Sequence, residues 1–444
     1  MLNRRTFLKQ VGLATLATAL PSSAAEGPAP DRGPNIILIL ADDVGYECFG
    51  AYGSTQYKTP RIDRMSAEGI RFTHCHSTPL CTPSRVKIMT GQDNVRNYFD
   101  FGTFPKGQTT FAQMLKARGY VTGFAGKWQL EKTVGLLPKD VGFDDVCRLI
   151  GEWPNYWKTP IEVNGKELPV NRDAYGPDVF TQFVTDFIRK NKSRPFCLYF
   201  PMTLVHGPFQ PAPESPDRTS RDAQRNFQDM VAHMDTCIGR ILDAVDAAGL
   251  KDRTVILFTG DNGTDGLHRD GLHSTLDGVK IRGGKGYTRD HGTHVPLIVR
   301  GAGVAGGAVC DDLIDFSDFL PTLAEIARAE TPKGVKLDGR SFWPQCQHRK
   351  GQPRQWLFNY SFPRPYAKSY DDCYRHTETR WVRTKRHKLY GDGRLFDTAA
   401  DPLEERPLPA GQAAETRKML QAVLDSMPAK GAGIDYSRVL PDKG

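Results

Sequence analysis

Strands alternating with helices along most of the chain predict an α/β fold: a large mixed, mostly parallel doubly wound sheet, followed by a smaller C-terminal α+β subdomain. Three observations carry this reading. The runs 35–40, 196–200 and 254–258 are apolar without alternation, as strands buried on both faces are. Stretches with amphipathic helical periodicity lie between them. From Trp356 the texture changes to short apolar runs, as antiparallel strands give.

The elements follow in order. The chain opens Met1-Leu2-Asn3-Arg4-Arg5-Thr6-Phe7-Leu8-Lys9, then has an apolar run from Val11 to Leu20 and the small residues Pro21 to Ala25. A basic start, an apolar stretch too short to span a bilayer and small residues read as a cleaved export signal over 1–26. Its Arg4-Arg5 pattern resembles a twin-arginine signal, so a bacterial periplasmic or secreted protein is expected. An amphipathic N-terminal helix is the plainer reading of the same residues. No other run is long enough for a transmembrane helix, and no stable membrane insertion is expected.

A Pro- and Gly-containing linker leads into a large α/β domain assigned to 31–350. The strand at 35–40 ends in Asp42-Asp43. A short helix starts at Thr59, and a strand at 69–73 leads to Cys81. Helix 109–118 precedes strand 120–125, which delivers Gly126-Lys127-Trp128. Helix 178–190 precedes strand 196–200, with His206 in the loop beyond. The long helix 224–248 precedes strand 254–258, which ends in Asp261-Asn262-Gly263. The Gly-rich segment 282–286 precedes strand 295–299, and helix 315–329 is expected to be interrupted or kinked at Pro321. Over 351–444, the runs 380–383 and 388–390 read as antiparallel strands and 413–427 as a terminal helix.

The 444 residues are 39% hydrophobic and 25% charged, ordinary for a soluble globular protein, and long enough for two or three domains. The net charge of +8 is spread along the chain. It would suit a polyanionic substrate, but a solvated basic surface is the commoner cause of such a balance, and no nucleic-acid partner is expected. Nine cysteines contain no Cys-x-x-Cys pair, so neither a zinc nor a thioredoxin-like site is expected.

The segment from Pro79 to Gly91 concentrates chemistry. It reads as a turn feeding a helix, with Pro83 at the first helical position. Cys81 then lies just outside a helix N-terminus, where free N–H groups and the dipole gather an anion, and Arg85 projects near the same end. A thiol phosphatase loop would need five residues between Cys and Arg; here there are three. The plain alternative is a small buried cysteine in an ordinary helix start. The paired carboxylates Asp42 and Asp43 favour a hard cation, Ca²⁺ or Mg²⁺, or else form a helix cap or a solvated turn.

Cys81-Thr82-Pro83-Ser84-Arg85, with Thr90-Gly91 beyond, resembles the signature of type I sulfatases in the alkaline-phosphatase superfamily. The resemblance implies that Cys81 is oxidised to formylglycine by a separate maturing enzyme and serves as nucleophile. It implies a calcium ion held by Asp42, Asp43, Asp261 and Asn262 together with residue 81. Arg85, Lys127 and Lys285 match the cationic residues that hold nucleophile and sulfate, and His206 matches the general acid. Where the family commonly reads Gly-Lys-Trp-His, this chain has Gln129, which cannot take a proton at neutral pH. His291 and His294, in a stretch where the family often has Glu-Gly-Gly and Arg, are candidates to compensate or, with Gln129, to form a substrate subsite.

The resulting expectation is a sulfatase acting on sulfated carbohydrate, with Trp153, Tyr156 and Trp157 as stacking surface or, equally, as core or lid. Two rivals stand beside it: a phosphonate or phosphodiester hydrolase of the same superfamily, and a glycan-binding protein with unconverted Cys81.

Overall fold

The computed structural model describes residues 33–98, 100–151, 155–170, 173–266, 272–276, 278–361 and 378–428. The expected export signal over 1–26 and the candidate Trp153 lie outside the described residues. The strands are β1 (Asn35–Ala41), β2 (Ile70–His76), β3 (Val121–Gly126), β4 (Asp145–Leu149), β5 (Ile161–Val163), β6 (Lys166–Glu167), β7 (Phe196–Pro201), β8 (Thr254–Gly260), β9 (His273–Leu276), β10 (Val279–Arg282), β11 (His294–Gly301) and β12 (Ala308–Asp315).

Ten of them form one sheet in the order β12-β2-β11-β8-β1-β7-β3-β4-β5-β6. Its centre is parallel, because β1 pairs in parallel with both β7 and β8, and β3 pairs in parallel with β7 and β4. β11 is inserted antiparallel between β2 and β8. β9 and β10 form a separate two-stranded ribbon.

Alternation along β1 explains why its sequence is continuously apolar. Ile36, Leu38 and Leu40 join the core beneath the helices Cys81–Thr90, Phe111–Ala117 and Phe319–Ala327. Ile37, Ile39 and Ala41 join the core beneath Pro60–Glu68, Gly176–Lys190 and Ala223–Ala247. Both faces are therefore dry, and each such Ile or Leu contributes about 1.5–3 kcal/mol of burial. Among the described residues, no helix is long and apolar enough to cross a membrane.

A second sheet, β13 (Leu357–Ser361), β14 (Thr379–Arg383), β15 (His387–Tyr390) and β16 (Leu395–Asp397), is wholly antiparallel. Its Phe358, Val382, Leu389 and Leu395 pack with Leu420 and Leu424 of the helix Ala414–Ser426.

Two helix boundaries differ from expectation for one reason. The helix after Leu80 starts at Cys81, so Pro83 is its third residue rather than its first. Pro321 is likewise the third residue of Phe319–Ala327, preceded by a 3₁₀ turn over Phe316–Asp318, and does not kink an ongoing helix. The first-turn amides have no intrahelical acceptor, so proline forfeits no hydrogen bond there. The helix Pro60–Glu68 is capped from a distance: Asp235, in the middle of Ala223–Ala247, accepts from the amides of Arg61 (3.0 Å) and Ile62 (2.8 Å).

Candidate active site

Four strand ends of the large sheet meet at one place. The backbone N–H of Asp261 donates to Ala41 O (2.9 Å), Val205 N–H to Asp42 O (2.7 Å), and Lys127 N–H to Pro201 O (2.8 Å). The loops beyond β1, β3, β7 and β8 are thus stitched together just past their last ladder bonds. Gly126 is needed for this: its φ is +109°, and a Cβ there would lie 2.1 Å from Pro201 O.

Asp42, Asp43, Asp261 and Asn262 are all fully buried. The Asp43 amide donates to Asp261 Oδ1 (3.1 Å) and Asn262 Nδ2 donates to Asp43 Oδ1 (2.9 Å). Three cations face this carboxylate cluster. Lys127 Nζ donates to Asp42 Oδ2 (2.7 Å), Lys285 Nζ to Asp43 Oδ2, and Arg85 to Asp261 Oδ2 (2.9 Å). Arg85 also donates to Lys127 O (2.8 Å), so its fork ties β3 to β8. Burial alone would raise the Asp42 carboxyl, but Lys127, His206 and Arg85 outweigh it and hold the group well below the usual carboxylate range. Burial and the neighbouring Asp42 push Asp261 up to about 8.

Cys81 is the first residue of its helix and is buried; burial pushes its thiol up, against the pull of Lys127. It is therefore a thiol, not a thiolate, at neutral pH. Ligating atoms of Asp42, Cys81 and Asp261 lie within 4.8 Å of one another, and so do those of Asp42, Asp43 and His206. Ser84 holds the approach to the helix, accepting from the Thr78 amide at 3.0 Å.

His206 is nearly fully buried, with Nδ1 on Gly207 O (2.5 Å) and Nε2 3.1 Å from Lys285 Nζ and 3.5 Å from Asp43 Oδ2. Burial, then Lys285, lowers its pKa to about 4. The ring is a neutral imidazole that accepts from the Lys285 ammonium.

The remaining candidates are distributed. Gln129 has a left-handed φ of +58°, and its Oε1 is buried without a hydrogen-bond partner among the described residues. His291 packs its backbone against Gly263 and Gly284, where a Cβ would come within 2.0 and 2.2 Å of His291 O. His294 faces elsewhere, bonded through Nδ1 to Asp290 (3.0 Å) and through Nε2 to Thr73 O (2.8 Å). Tyr156 is core: its hydroxyl reaches Thr203 O (2.8 Å) and His206 O (2.6 Å), fixing the loop that carries the histidine. That role spans 50 residues and leaves no local signal in the sequence. Trp157 donates to Pro211 O (2.9 Å), and the Arg218 guanidinium covers its ring at 3.7 Å.

A family model described as Sulfatase matches residues 34–329. The chain belongs to the sulfatase family. Human arylsulfatase A is 31% identical over 85% of this chain and 79% of its own. Rat N-acetylgalactosamine-6-sulfatase is 30% identical over 75% of this chain and 68% of its own. Among solved structures, Ps i-CgsB in complex with k-i-k-neocarrahexaose superposes with a TM-score of 0.74 at 24% identity, covering 89% of this chain and 92% of that one. A sulfatase is a sulfuric ester hydrolase, and the fold of this one is alkaline-phosphatase-like.

The residues present fit a divalent cation. Asp42 Oδ1 and Asn262 Oδ1 are buried with no hydrogen-bond partner among the described residues, and three buried carboxylates crowd together. All the donors are hard oxygens apart from residue 81, as Ca²⁺ prefers.

Proposed function

We propose that this sulfatase hydrolyses sulfate esters of carbohydrates, using a formylglycine made from Cys81 and a calcium ion at Asp42, Asp43, Asp261 and Asn262. The observation that carries the reading is the buried convergence of Asp42, Cys81 and Asp261 within 4.8 Å. When bound, calcium supplies Lewis-acid polarisation of a sulfate oxygen. The hydrated aldehyde of the modified residue supplies the nucleophile that a protonated thiol does not.

The chain's own residues do the rest. Lys127 and Lys285 present fixed ammonium groups to the peripheral oxygens of the sulfuryl group, where charge develops. Arg85 orients Asp261 and the Lys127 backbone. His206 stands over the same pocket and hands a proton to the departing alcohol, with Lys285, which already donates to Nε2, as the source. A carbohydrate ester is favoured by the name of the relative that acts on N-acetylgalactosamine 6-sulfate, by the basic balance of the chain, and by the export signal, which would deliver the protein to the periplasm or beyond. Maturation by a separate enzyme before folded export accords with that signal.

Co-expression with a maturing enzyme, followed by mass analysis of the Cys81 peptide, tests the nucleophile: an aldehyde is expected, and an unmodified thiol in active protein overturns it. Rates on an aryl sulfate and an aryl phosphodiester then test the reaction, with the sulfate expected to be faster. A screen of sulfated sugars that yields no turnover, in protein active on aryl sulfate, removes the carbohydrate assignment alone.

A further inference from the structure

A second group of ligating side chains lies apart from the carboxylate cluster. His74 and His76 are two residues apart on β2, so both point to the same face of the sheet. The ladder pairs His76 directly with His294 of β11, which brings the third ring alongside. The His76 and His294 ring centroids are 4.7 Å apart, and His74 and His294 stack at 5.9 Å. One ring nitrogen from each lies within 4.8 Å of the others.

His76 is fully buried, yet among the described residues its Nε2 has no hydrogen-bond partner; His74 Nδ1 is in the same condition. Two buried imidazole nitrogens without a partner are costly unless something else occupies them. His76 Nδ1 is engaged by Thr293 Oγ1 and by the Arg383 guanidinium, each at 3.4 Å, so Nε2 is the nitrogen left to face a ligand. Behind His294, Asp290 accepts from Nδ1 at 3.0 Å and is itself paired with Arg383. A carboxylate behind an imidazole is the arrangement that fixes a metal-bound histidine and raises its basicity.

We propose that His74, His76 and His294 bind a zinc ion, with Asp290 as the carboxylate that orients His294. Three imidazoles select a borderline-soft cation over calcium, and a tri-histidine set leaves a fourth position for water. Zinc–nitrogen bonds of about 2.0–2.1 Å place tetrahedral ligands about 3.4 Å apart, so the rings close in on binding and His294 Nε2 gives up its contact with Thr73 O. His74 is only half-buried and provides the way in. The ion would cross-link β2, which leads to Cys81, to β11; these strands are already joined beyond the site by the Ser77 amide on Thr293 O at 2.8 Å. It would act as a structural clamp beneath the nucleophile-bearing segment.

The test uses full-length, calcium-saturated protein, so that the oxygen site is filled. Stripped of other metals, it is titrated with Zn²⁺, and separately with Co²⁺ as a spectroscopic probe. Expected are one zinc retained per chain after gel filtration, intense visible cobalt absorption typical of four-coordinate nitrogen ligation, and a Tm that rises with zinc. His74→Gln should weaken zinc binding by at least about 10-fold, and Asp290→Asn by about 10–100-fold. Near-UV circular dichroism and aryl sulfate turnover of His74→Gln report that the fold survives. Failure to retain zinc, or equal retention by wild type and His74→Gln, overturns the proposal. Sulfur-to-cobalt charge-transfer bands also overturn it, since they would place the metal on a cysteine, in Asp178, His233 and Cys237 or in Asp42, Cys81 and Asp261, the other sets with a cysteine whose ligating atoms lie within 4.8 Å among the described residues.

Discussion

Lys285 donates to Asp43 and His206 at once, and this shared position decides what the histidine can do. A neutral ring with a proton source at 3.1 Å is built to pass that proton on rather than to hold it. His206→Gln should therefore lower kcat by about 10²–10⁴ on alkyl sulfates and much less on nitrophenyl sulfate, whose leaving group needs little protonation. Equal losses on both substrates would sink the general-acid role. A second histidine shows the opposite electrostatics. Burial opposes the charging of His233, but its contacts with Asp178 and Cys237 outweigh that and raise it to about 11, from 6.5 when unperturbed. A raised value in the folded state means stabilisation that is complete below the unfolded pKa and lost as pH climbs through the folded one. The stability gap between wild type and His233→Asn should be wide at about pH 6 and narrower at about pH 9, read from urea midpoints. A gap that widens with pH contradicts the assignment.

Among elements, those buried on both faces were legible in the sequence and those on edges were not. β1, β7 and β8 announce themselves because both faces are dry, and the ends of β1 and β8 locate Asp42, Asp43, Asp261 and Asn262, whose grouping as one set comes from the family resemblance. β12 has no continuous apolar run, because Asp311 and Asp312 interrupt it, and Val309 faces solvent at 56% exposure. The β9–β10 ribbon and the short β4–β6 edge lack a hydrophobic run of any length. The convergence of Arg85 on Asp261, 176 positions away, is a product of the sheet and has no local trace. The same holds for Asp235, whose carboxylate caps a helix that begins 175 residues earlier. Thr59 makes no side-chain cap there, so Asp235 is the side chain seen to accept from the first-turn amides of Arg61 and Ile62. Asp235→Ala should cost about 2 kcal/mol, the sum of two buried hydrogen bonds, while Asp235→Asn, which keeps one acceptor, should cost about half as much. Equal stability of all three proteins in urea would mean that the helix start is satisfied by other means.

At the scale of the molecule, the question is how the small antiparallel sheet is coupled to the large one, and Lys87 answers it. Its side chain is 1% exposed, and Nζ donates to Asp315 Oδ2 at the end of β12 (2.8 Å) and to Phe358 O in β13 (3.2 Å), with Asp93 at 3.0 Å. From the other side, Asn359 Nδ2 donates to Ser77 O (2.8 Å), in the loop before Cys81. One ammonium, on the helix that starts at Cys81, thus joins both sheets. Burial already raises Asp93 to about 7 with Lys87 present, so removing the lysine leaves two buried carboxylates with less compensation. Lys87→Met keeps the stem and deletes the charge; it should cost about 3–5 kcal/mol, the range for breaking a buried ion pair. Because the lost contacts reach both sheets, the fluorine resonance of Trp381 in fluorotryptophan-labelled protein, which reports the small sheet, and far-UV circular dichroism should lose stability together and unfold at one urea midpoint. If the Trp381 signal moves to lower urea while the circular dichroism stays in place, Lys87 serves only the small sheet, and the segment carrying Cys81 is held without it.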